Sequence, residues 1–196
     1  MDAPGEEYYL NMIYAKKMLS NIDGLQMKMD SAISVGLDSI SSLERYLSTS
    51  ETDNLRKECI LLYDRVAIEY YMSGQYMQCE EYHSMAQSML NQFEDTYVKY
   101  HLLYEQGVRE LHTDICKGIR HIQDSLKNIP IYDFMTEGQE KDLILGDLLM
   151  GKLLDADNEE QIIDIKNQTL TKCNELATSK EPFESILFHW IAANCF

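Results

Sequence analysis

Apolar residues recur along this chain at intervals of three and four, the spacing that gathers them on one face of an α-helix. The clearest run is Leu25, Met29, Ile33, Leu37, Ile40, Leu43 and Leu47, with Ser34, Asp38, Ser41 and Arg45 on the other side. It predicts a helix from Leu25 to about Leu47. An earlier helix is predicted from Glu6 to about Ser20, turned by Asn21-Ile22-Asp23-Gly24. Gly36 falls mid-helix, where glycine costs about 1 kcal/mol relative to alanine. The stripe has the form of a coiled-coil seam, but its short length suits packing within a domain. Ser48-Thr49-Ser50-Glu51-Thr52-Asp53 is small and polar and reads as a linker. Asp53 is suited to accept backbone N–H bonds where the next helix begins.

Asn54 to Ser73 then reads as one helix, with Ile60, Tyr63, Val66, Ala67 and Tyr70 as its buried face. Gly74 breaks it, because glycine takes the positive φ that ends a helix. A returning helix follows from Tyr76 to about Gln92, carrying Tyr76, Cys79, His83, Ala86 and Leu90 on one side. Two such segments joined by a short turn make an antiparallel helical hairpin.

The order of bulky and small residues around Gly74 resembles one tetratricopeptide repeat across Leu61 to about Phe93. In that family small residues let paired helices approach closely and large aromatics fill the remaining space. Three positions depart from the pattern: Cys79 stands where Ala is usual, His83 where a large apolar residue is usual, and the closing Pro is absent near Asn91. The resemblance covers about a sixth of the chain. It implies an array of hairpins with a concave face for peptides or helices of other proteins.

The remaining segments continue in helical style. Tyr97, Tyr100, Leu103, Tyr104 and Val108 support one helix, and Ile115, Ile119, Ile122 and Leu126 the next, stopped by Pro130. Thr136-Glu137-Gly138-Gln139 has the form of a capping box opening a helix through Leu154. Asp157-Asn158-Glu159-Glu160 opens another to about Ala177, and Pro182 suits the first turn of a last helix ending at Phe196. The expectation is an all-α, single-domain protein of about nine helices. Residues 1–48 hold the N-terminal helices, 54–130 the tetratricopeptide-like hairpins and 134–196 the C-terminal helices. The apolar end, Phe188 to Phe196, suggests packing back on the core, an oligomer surface, or a segment cut from a longer protein.

Composition agrees with this picture. The chain has 196 residues, 45% of them apolar and 26% charged, with only 3 Pro and 9 Gly. That suffices for a sizeable core, and alternating β-branched runs are missing. The formal net charge of −16 disfavours nucleic acid and points either to a solvated acidic surface or to a basic partner. Five widely spaced cysteines (Cys59, Cys79, Cys116, Cys173 and Cys195), without a CxxC pair or a secretory signal, argue for reduced thiols in the cytoplasm or nucleus. No apolar run approaches the ~20 residues that cross a membrane.

Signals for chemistry are few. Cys79 and His83 are four apart, as are His112 and Cys116, so two facing pairs would make a Cys₂His₂ zinc site. The preferred reading is that they pack, and no metal or cofactor is expected. Counting a calcium loop from Asp155 puts Glu160 where Gly is needed and Lys166 where Glu is needed, so that reading is rejected. No nucleophile elbow, phosphate loop, dinucleotide fingerprint or HExxH motif occurs, and no enzymatic activity is expected.

Thirteen tyrosines are dense between Tyr63 and Tyr104. Hairpin packing accounts for Tyr63, Tyr70 and Tyr76. Tyr71, Tyr82 and Tyr97 are less readily absorbed and are the candidates for a partner-binding groove. The expected function is a scaffold or adaptor that binds a peptide or helix of a partner protein, with homo- or hetero-oligomers open. No basic cluster supports a clamp for acidic chaperone tails. The other readings are a peptide-responsive regulator acting through a protein target, and a structural subunit of an obligate complex.

Overall fold

A computed structural model of the chain describes residues 5–47, 52–129 and 139–178. Among them every regular element is an α-helix, eight in all: α1 (Glu6–Leu25), α2 (Met29–Leu47), α3 (Asp53–Met72), α4 (Tyr76–Leu90), α5 (Thr96–Glu110), α6 (Ile115–Asn128), α7 (Gln139–Leu154) and α8 (Glu159–Ala177). The expected last helix from Pro182 to Phe196 lies outside the described residues, as do Pro130, Thr136-Glu137-Gly138, Cys195 and most of the linker before α3. The chain divides into two compact units, Met1–Lys99 and Tyr100–Phe196, with the division falling inside α5.

The first turn is not where the sequence predicts it. Gly24 is buried inside α1, and the helix runs on to Leu25. It closes at Met27, whose φ is 59°. The amide of Lys28 bonds to the carbonyl of Asp23 at 2.8 Å and that of Met27 to Gly24 at 2.9 Å. This is a Schellman closure with methionine in the left-handed position usually given to glycine. The α3 helix ends by the same device, with Gly74 at φ 77° as expected. There the amide of Gln75 bonds to Tyr70 at 2.9 Å and that of Gly74 to Tyr71 at 3.0 Å.

In the first unit, α3 packs against α1, α2 and α4. Tyr71 meets Tyr76, Tyr70 meets Tyr82, and Asp64 meets His83, so α3 and α4 run antiparallel. Because neighbours surround it, α3 is buried well beyond the single face the sequence marks. Leu55, Cys59, Leu62, Glu58, Asp64 and Glu69 are buried along with the expected Ile60, Tyr63, Val66 and Ala67. Its start is capped by Thr52, whose hydroxyl accepts from the Leu55 amide at 3.4 Å, while Asp53 is the first helical residue. Burial of Met29, Ile33, Ile40 and Leu43 commits the α2 stripe to this core. Gly36 has a packing reason, since a Cβ there would stand 2.5 Å from Val66 Cγ2.

The three buried α3 carboxylates each meet a donor. Glu58 takes the ammonium of Lys17 from α1 at 2.9 Å. Asp64 pairs with His83 Nδ1 from α4 at 3.0 Å. Glu69 accepts from the hydroxyl of Ser20 on α1 and from Arg65 Nε, one turn earlier on α3. Charge removed from water is costly unless paired, so these contacts are conditions of the fold.

The second unit is organised around Leu111, where the chain leaves α5. Gly107 on α5 and Gly118 on α6 bring two backbones into contact. A Cβ on Gly118 would lie 2.7 Å from the Gly107 carbonyl oxygen and 2.8 Å from the Leu111 nitrogen. Gly151 on α7 admits Leu111 Cδ2 in the same way, at 2.7 Å from its notional Cβ. Asp114 caps α6 through the Lys117 amide at 3.0 Å, and Asn158 caps α8 through the Gln161 amide at 2.9 Å. Tyr104 donates to the buried carboxylate of Asp147 on α7. Burial outweighs that hydrogen bond and pushes the Asp147 carboxyl up to about 7.

Candidate functional site

Tyr63 and Tyr70 are seven residues apart on α3, two turns, so their rings project from one face. Tyr82 approaches from α4 and joins both. Its ring centroid lies 5.9 Å from that of Tyr63 and 5.3 Å from that of Tyr70, with planes inclined by 32° and 35°. Tyr63 is buried, whereas Tyr70 and Tyr82 are half-buried. A third helix contributes an acid: Tyr63 donates its hydroxyl to the carboxylate of Glu44 on α2. Burial first, then that bond and the Glu44 charge, hold the Tyr63 hydroxyl well above its ordinary range. The Tyr82 hydroxyl is raised too, by burial and then by Tyr70, Glu81 and Glu44. Both phenols therefore stay protonated, and the negative charge at this surface belongs to Glu44 and Glu81.

Three aromatic rings beside two carboxylates form a surface that attracts cations. The ring faces carry negative quadrupole potential, and the acids add net charge. Elsewhere the protein covers such rings itself. Lys57 Nζ stands 4.9 Å from the Tyr97 centroid, Lys17 Nζ 5.8 Å from that of Tyr14, and the Arg56 guanidinium 5.8 Å from that of Phe93. Among the described residues no cation of the chain covers Tyr70 or Tyr82.

Of the tyrosines marked by sequence as groove candidates, Tyr82 is at the centre of this cluster. Tyr71 lies one step along α3 and meets Tyr76 edge-on at 5.5 Å, beside the Gly74 turn. Tyr97 is 6% exposed beneath Lys57, in a packing role. Tyr76, assigned to packing from the sequence, is exposed. Tyr70 and Glu44 belong to the site without having been singled out. The seven-residue spacing of Tyr63 and Tyr70 was the legible signal, but no pattern in the sequence brings Glu44 to them from α2.

The Cys and His pairs have separate settings. Cys79 and His83 are buried in the first unit, with His83 Nδ1 turned to Asp64. His112 and Cys116 are exposed in the second unit, with Cys116 Sγ 3.8 Å from Asp155 Oδ1. Among the described residues no group of three or more His, Cys, Asp or Glu side chains is placed to hold a metal ion. Cys59, Cys116 and Cys173 are free thiols, and burial pushes Cys59 up to about 12.

Fold and geometry together define an all-helical protein with an aromatic, acidic surface on its first unit. Comparison with family models, curated proteins and solved structures found no match to the chain. No helix among the described residues is long and apolar enough to cross a membrane.

Proposed function

We propose that this protein is an interaction module that captures a basic side chain of a partner peptide or helix at the face formed by Tyr70, Tyr82, Glu44 and Glu81. One observation carries the reading: a cluster of tyrosine rings flanked by carboxylates and uncovered by any described cation of the chain. An Arg or Lys seated there gains cation–π attraction and charge neutralisation together. The net charge of −16 draws such a partner toward the protein. The resemblance of Leu61–Phe93 to a tetratricopeptide repeat supports the same class of function. On this reading the chain is a tetratricopeptide-like array of about nine helices acting as a scaffold or adaptor, without catalysis.

Selection of displayed random peptides on the protein tests this. Winning peptides should be enriched in Arg or Lys. Tyr82→Leu, which keeps bulk but removes the ring, should weaken them roughly five- to tenfold. Glu44→Gln should weaken them further at low salt than at high salt. Peptides without basic enrichment, or binding indifferent to Tyr82→Leu, would remove the assignment.

A further inference from the structure

The α1 helix carries a second apolar face that the first unit does not use. Its inner face holds Ile13, Ser20 and Gly24, all buried. On the opposite side Tyr8, Met12, Ala15, Leu19 and Ile22 follow one another at steps of four, three, four and three. This is the alternation of core positions along a coiled-coil seam. Three of these large side chains are open to solvent: Tyr8 is 57% exposed, Leu19 54% and Ile22 46%. Ala15 lies exposed at the middle of the row, and Met12 is half-buried.

We infer that this face is a homodimer seam, closed by α1 of a second copy of the chain running antiparallel to the first. The order of residues is self-complementary, as a two-fold interface requires. Antiparallel pairing in one register matches four of the five positions with each other and leaves Ile22 opposite Gly5 of the second copy. Met12 meets the second copy's Ala15, and Leu19 meets the second copy's Tyr8. Ala15, the one small residue of the row, makes room near the centre for the second copy's Met12.

Charge favours a second copy over a basic foreign partner. Most of the chain is strongly acidic, but α1 sets Glu6, Glu7 and Asp23 against Lys16 and Lys17 and is close to neutral. The groups flanking the row are already held within the chain: Tyr9 stacks on Tyr46, Lys16 pairs with Asp38, and Asp23 accepts from Ser31. Along this rim Lys16 and Asp23 offset each other and Glu7 stands exposed, so a second copy meets little net charge. The row is about 21 Å long at 1.5 Å per residue. One helix stripe offers less than the ~800 Å² per partner typical of a stable interface, so the dimer is weak and concentration-dependent.

Sedimentation velocity from about 2 to about 200 µM tests the proposal. The wild-type mass should climb from monomer toward dimer across this range. Leu19→Glu, at an exposed position, should keep the helical circular dichroism of the wild type and stay monomeric at every concentration. Met77→Glu, an exposed substitution on α4, should dimerise like the wild type. A chain that remains monomeric overturns the inference, as does a dimer or larger species that survives Leu19→Glu. A monomer that loses a foreign protein on Leu19→Glu also overturns it, and reassigns the row to a partner's helix.

Discussion

At the scale of single residues, two helix ends of the same construction differ in how readable they are. The closures at Met27 and Gly74 use the same pair of backbone bonds. Gly74 announces its turn because glycine enters the left-handed region without steric cost. Met27 gives no such sign, and the nearby Gly24 points to the wrong place. A methionine in that conformation costs roughly 1 kcal/mol, and at 72% exposure it gains little from packing. Met27→Gly should therefore raise stability by about 0.5–1 kcal/mol in urea melts, while Gly74→Ala should lower it by about 1 kcal/mol. Asp147 makes a different prediction. Its carboxyl is raised to about 7 in the fold, above its ordinary value near 3.9 when unfolded. The stabilisation of the protonated form is fully present below pH ~4 and is lost as pH rises through about 7. Asp147→Asn, which keeps an acceptor for Tyr104, should remove that loss. The difference in melting temperature between variant and wild type should grow from pH 5 to pH 8. An unchanged difference would show that Asp147 is not held in its neutral form.

At the scale of elements, the existence of the helices was legible and their burial was only partly so. Stripes such as Met29, Ile33, Ile40 and Leu43 identify the inner side of α2 because one side of that helix is covered. The same logic misjudges α3, where a helix enclosed by neighbours has no polar side to contrast with. On α5 the buried leucine is Leu102, whereas the sequence pattern favoured Leu103, which is only half-buried. The close backbone contact between α5 and α6 leaves no mark in the sequence, because Gly107 and Gly118 stand apart and neither breaks its helix. Gly118→Ala should cost about 1–3 kcal/mol, since its new methyl meets backbone atoms at 2.7 and 2.8 Å and neither can rotate away. Thermal melts would check this. Wild-type stability would mean that α5 and α6 do not approach so closely. The α1 row is present in the sequence as a heptad alternation, but only the fold shows that this side of the helix is left open.

For the molecule as a whole, the acid excess sets solution behaviour. A chain at −16 repels itself, and the repulsion is screened as salt shortens the Debye length. Melting temperature should rise as sodium chloride increases from about 20 to about 200 mM, with basic-peptide affinity falling over the same range. The two responses have opposite signs and a common origin. The tyrosine face was only half visible in advance, because Tyr82 stands out by composition while Glu44 reaches it only through folding. The acids inside the first unit have another consequence. An apolar helix can slide a turn along its neighbours and still find oil to rest in. If α3 slipped by one residue, Glu58 would lose Lys17, Asp64 would lose His83 and Glu69 would lose Ser20, all together. The three pairings act like the wards of a lock, admitting one rotation and one height, so misassembled forms of this unit should be scarce even where the native form is only modestly stable.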